Sequence, residues 1–108
     1  MSKYVPDRWI IIKITSEKGS HYRVFASWYG GFAGSDSWKL NSGIMSVTLD
    51  DHDYFQFIGS SGSVYSCHKN GYGISNYGAN VLKGMSNSVS ITIEQLPEQV
   101  NPLELNYN

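Results

Sequence analysis

Three short stretches carry side chains that could do chemistry. Cys67 and His68 are neighbours, Asp50-Asp51-His52-Asp53 gathers three carboxylates and an imidazole, and Gly59-Ser60-Ser61-Gly62-Ser63 sets serines between glycines. A thiol beside an imidazole suggests a nucleophile and its base. Adjacent residues of a strand point to opposite faces, however, so this pair cannot form a dyad, and nothing requires His21 or His52 to approach the thiol. A lone Cys on a strand reads instead as a small core residue. No C-x-x-C or H-x-x-x-H spacing offers a zinc site. Calcium takes about six or more oxygens spaced along a loop with a Gly at its bend. The Asp50–Asp53 tetrapeptide has neither the spacing nor the Gly, so it reads as a turn with Asx-type hydrogen bonds. In the serine stretch, Ser63 stands where a G-x-S-x-G elbow needs its closing Gly, and no strand-to-helix context surrounds it. No catalytic residue, metal ligand or cofactor is therefore assigned, and a hydrolase using His21, His52 or His68 as base ranks last among the functions considered.

Binding chemistry is better represented. The stretch from Ser27 to Gly43 packs four aromatic rings and four glycines into one connection, with hydroxyl and amide side chains between them. Unstructured connections of this length are uncommon in small domains and are often functional. The expected binding residues are Tyr29, Phe32, Asp36, Ser37, Trp38, Lys39 and Asn41. Rings offer flat faces for stacking, glycines let another backbone approach, and the polar groups fix register at the rim. Trp28 continues the alternation of the preceding strand and reads as core. Trp38, with polar neighbours, reads equally well as core or surface. A second polar-aromatic stretch, around Tyr72-Gly73 and Tyr77-Gly78, reads as a wandering loop with docked tyrosines.

The elements that must position this loop are strands. Trp9–Thr15 has Ile10, Ile12 and Ile14 on one face and Trp9 and Ile11 on the other, the pattern of a strand buried on one side and partly covered on the second. His21–Tyr29 alternates cleanly, with Tyr22, Val24, Ala26 and Trp28 facing one way. Further strands are expected at Ile44–Leu49, Tyr54–Ile58, Val64–Lys69 and Val89–Leu96, and a short edge strand at Ser37–Leu40. Ser16–Ser20 and Ser60–Ser63 read as tight turns, and Asn70-Gly71 as a type I′ hairpin turn. Ala79–Lys83 suits one or two helical turns ending at Gly84, so at most one short helix is expected near residues 78–84.

These readings describe an all-β, mainly antiparallel domain of about six strands. A small barrel is slightly preferred to a two-sheet sandwich, because closure hides edges that few charges defend. With 108 residues the chain fits a single domain over 1–108, with an arm at 1–7 ended by Pro6 and a tail at 97–108 read as extended or disordered. Charged residues make up 16% of the chain, well under the usual quarter or so. The three Trp, eight Tyr and four Phe nonetheless argue for a packed core. A net charge of −1 offers no basic face, which disfavours duplex nucleic acid. One Cys, a polar start and no apolar run longer than Trp9–Ile12 point to a cytoplasmic protein with no membrane segment. In size and style the chain resembles the small proteins encoded by bacteriophages. The leading expectation is a non-enzymatic β-module that binds a protein partner, or itself as a homodimer, through loop 27–43. The alternative is a β-barrel that holds a small molecule, a nucleotide or a sugar, in its mouth.

Overall fold

Trp9-Ile10-Ile11-Ile12 is apolar at every position, so both of its faces need cover. In the computed structural model, which describes residues 2–30, 36–87 and 90–107, that cover comes from a second sheet on one side and a helix on the other. The run lies in β2 (Arg8–Ser16), inside a four-stranded sheet. Its antiparallel neighbours are β3 (Gly19–Trp28), followed by the short edge strand β4 (Ser37–Leu40), and on the other side β8 (Ile91–Gln95). The second sheet has the order β1 (Lys3–Tyr4), β7 (Val64–His68), β6 (Tyr54–Gly59), β5 (Ile44–Leu49). All its pairs are antiparallel except β1 with β7.

The architecture is thus all-β with two sheets. It is a sandwich and not the barrel that charge content favoured: neither sheet closes on itself. The chain crosses between sheets at Asn41-Ser42-Gly43, where Gly43 adopts φ +126°, a left-handed conformation suited to Gly. Two further corrections come from contacts between segments far apart in sequence, and two from local geometry. Residues 3–4 of the supposed arm are a strand, in register with Val64 and Tyr65. Asn70-Gly71 makes no hairpin; Lys69–Gly71 is a single 3₁₀ turn, and the chain then crosses to the first sheet, where Tyr72 bridges to Trp9. The helix, α1 (Asn76–Met85), is longer than expected and keeps Gly84 inside its last turn. In β5 the register shifts between Ile44 and Ser46, so Ile44 is buried and Met45 is 62% exposed.

Between the sheets lie Trp9, Ile11, Val24, Ala26, Phe55, Phe57, Tyr65 and Cys67. The Trp9 ring meets Phe55, Phe57 and Tyr72 at centroid distances of 5.8, 5.4 and 4.8 Å, and its Nε1 donates to the His68 carbonyl at 2.7 Å. The tail, read as extended or disordered, packs against this core through Val100, Leu105 and Tyr107. On the far side of the first sheet, Ile10, Ile12 and Phe25 are covered by Leu82 of α1. No described helix is long and apolar enough to cross a membrane. The expected loop residues Gly31, Phe32 and Gly34, and Val89 of the last strand, lie outside the described residues.

Candidate functional site

The edge strands of the two sheets, β1 and β4, meet along one flank of the sandwich. Trp28, at the end of β3, ties them together: its Nε1 donates to the Val5 carbonyl at 2.9 Å, and its ring meets Tyr4 edge-on at 6.4 Å. Alternation along β4 turns Lys39 toward the second sheet, where its ammonium sits 5.1 Å above the Tyr4 ring. The result is a cleft of about 500 Å³ lined by Lys3, Tyr4, Val5, Trp28, Ser37, Trp38 and Lys39. Neither lysine forms an ion pair with a carboxylate among the described residues. Val5 and Trp38 are 50% and 37% exposed.

The expected binding residues are divided by this geometry. Ser37, Trp38 and Lys39 line the cleft. Trp38 is also stacked at 5.5 Å on Phe25, so its ring lies on the helix side of the first sheet while Lys39 faces the other side. Tyr29 is exposed, with its hydroxyl accepting from Arg8 Nε at 3.2 Å. Asp36 braces the loop entrance, accepting from the Gly30 N–H at 3.0 Å, and Asp7 accepts from the Tyr29 N–H at 2.8 Å. Asn41, expected at the rim, is buried: its Oδ1 accepts from the Val24 N–H at 2.7 Å. Phe32 lies outside the described residues. Lys3, Tyr4 and Val5 were missed, because their segment read as an arm. The β-forming pair Tyr4-Val5 just before Pro6, a residue tolerated at sheet edges, was the available signal.

The chemistry-bearing stretches are arranged for structure. Cys67 is fully buried, and that burial pushes its thiol well above the ordinary range. His68 sits at the end of β7, and its Nδ1 accepts from the Asn70 N–H at 3.1 Å. The potential ligand atoms of Asp50, Asp51 and His52 lie within 4.8 Å of one another. Asp50 already accepts from the N–H groups of Tyr54 and His52 and from Gln56 Nε2, each at 2.9 Å. Those bonds, the Tyr54 N–H first, hold its carboxyl below the ordinary value. Ser42, Ser60 and Ser61 bind one another across the corner between the sheets. Comparison of the chain with family models, with curated proteins and with solved structures finds no match.

Proposed function

We propose that this chain is a non-enzymatic binding module that seats a protein partner along the flank between β1 and β4. One observation carries the reading: two sheet edges, the rings of Tyr4 and Trp28 and two lysines without carboxylate partners border a single cleft among the described residues. Rings on a stiff sheet anchor a partner at low ordering cost, and an edge strand can add one more strand from outside. Lys3 and Lys39 favour an acidic segment. A second copy of the chain is an allied occupant, since an unprotected edge can close a two-fold dimer.

The test is capture from lysate with wild-type protein and with Lys3→Glu/Lys39→Glu. Both side chains are exposed, so reversing their charge leaves the fold intact. Partners seen with the wild type and lost with the variant support the reading; identical recovery ends it. Sedimentation of both proteins tests self-association. The small-molecule reading draws its support from the cleft volume, which lies in the range of ligand pockets. A melting shift with a nucleotide or sugar, abolished by Trp28→Ala, would favour it over a protein partner.

A further inference from the structure

The outer face of the first sheet is largely apolar, and α1 covers only part of it. Leu82 seals Ile10, Ile12 and Phe25. Beyond the helix, Ile14, Leu40, Met85, Ile91 and Ile93 are only half-buried and surround a trough of about 440 Å³. The outer face of the other sheet carries Tyr54, Gln56, Ser66 and Lys3, the ordinary polar cover of a wetted sheet. Aliphatic side chains left around a concavity need an occupant, because water in such a trough leaves their surface unburied.

One end of the trough is cationic. Arg23 donates from Nε to His21 Nε2 at 2.9 Å and from NH1 to the Asn41 carbonyl at 3.3 Å. These two bonds fix the plane of the guanidinium, and no carboxylate among the described residues pairs with it. Burial and the nearby Arg23 hold the His21 ring below its ordinary pKa, so it stays neutral at pH 7 and accepts from Arg23. Among the described residues lining the trough, the guanidinium is therefore the one charge. A fixed guanidinium at the end of an aliphatic floor complements a carboxylate carried on an apolar chain.

We infer that the trough between β8, β4 and the C-terminal end of α1 binds an aliphatic carboxylate, its chain against Ile14, Leu40, Met85, Ile91 and Ile93 and its head on Arg23. The site is separate from the cleft between β1 and β4, and either can fail without the other.

The experiment is calorimetric titration of the native protein with decanoate, decanol and decylamine, each below its micellar concentration or solubility limit. Decanoate binds at one equivalent, decanol about tenfold more weakly for want of the charged hydrogen bond, and decylamine more weakly still. Arg23→Gln lowers decanoate affinity to that of decanol and leaves decanol unchanged, whereas Arg23→Lys keeps a preference for decanoate. Met85→Trp fills the trough and removes decanoate binding while the melting temperature holds. Lys39→Glu, at the other cleft, leaves all three titrations as they were. Any of three results overturns the inference: no heat with decanoate, equal affinity for the three heads, or a stoichiometry well above one. Concentration-dependent dimerisation that is abolished by Met85→Trp would also overturn it, by assigning the trough to a second copy.

Discussion

Asn41 shows how a polar side chain in a polar stretch can be a structural part. Its backbone N–H donates to the Val24 carbonyl at 3.0 Å and its Oδ1 accepts from the Val24 N–H at 2.7 Å, so it extends the ladder of β3 past the end of β4. Val24 is completely buried, and Asn41→Ala strips its N–H of an acceptor. Such a loss costs about 1–3 kcal/mol. Asn41 Nδ2 has no partner of its own, which places the expected cost near 1 kcal/mol, a fall in melting temperature of roughly 4–8 °C. An unchanged melting curve would return Asn41 to the surface role that its neighbours suggested. That role was misread because what decides it, Val24, lies seventeen residues earlier. Asp50 was legible for the opposite reason, since its partners His52, Tyr54 and Gln56 are all local. The folded carboxyl titrates below the unfolded one, so its contribution is present above about pH 4 and is lost as pH falls through the folded value. Asp50→Asn keeps an acceptor but has no charge to lose. Its melting temperature should fall less steeply than the wild type's between pH 5 and 2, and parallel curves would remove Asp50 from the acid response.

At the scale of elements, alternation was enough wherever a strand buries one face. β2, β3 and β6 fall within a residue or two of their expected bounds because Trp9, Ile11, Val24, Ala26, Phe55 and Phe57 mark the inner face directly. β1 was not legible, because two residues cannot show a period and their partners in β7, Val64 and Tyr65, lie far along the chain. The helix was underestimated because glycines were read only as breakers. Ser75 caps it, accepting from the Gly78 N–H at 3.1 Å, and the two glycines inside it do different things. A Cβ on Gly78 would lie 2.8 Å from Ile74 Cγ1 and 3.2 Å from Phe25 Cε1, so this glycine lets α1 approach the sheet. A Cβ on Gly84 would meet nothing within 4 Å. Gly84→Ala should therefore stabilise the protein by about 0.5–1 kcal/mol through helix propensity. Gly78→Ala gains the same propensity but overpacks the contact at about 1–3 kcal/mol, for a net loss of roughly 1 kcal/mol. Urea melts of the two variants separate the cases; stabilisation by both would mean that α1 stands further from the sheet than Gly78 implies.

For the whole molecule, the choice between barrel and sandwich turned on the corners where the chain changes sheet, such as Asn41-Ser42-Gly43, and on a tail that no local pattern marked. The tail closes one end of the space between the sheets: the Tyr107 hydroxyl donates to the Pro102 carbonyl at 2.6 Å, and its ring meets Tyr22 edge-on at 5.7 Å. Tyr107 thereby joins Cys67, Tyr65 and Tyr72 in or against the inter-sheet core. Burial is the leading cause in all four, and it holds each acid in its protonated form. The folded chain keeps these protons at a pH where the unfolded chain releases them. Their contribution is complete below the unfolded values, about 8.5 for the thiol and about 10 for the phenols, and it drains away as pH rises toward the folded values. The sandwich should consequently lose stability steadily in alkali, with urea midpoints that fall between about pH 9 and 11. Tyr107→Phe separates the two roles of the tail. At pH 7 it costs about 1 kcal/mol, the worth of the bond to Pro102. Above pH 10 its disadvantage should shrink, because Phe has no proton to lose and the wild type is by then giving up part of what Tyr107 contributes. Curves for wild type and Tyr107→Phe that converge with rising pH support a tail packed on the core. A constant gap would mean that Tyr107 titrates alike in the folded and unfolded chain, and so that the tail does not close the sandwich.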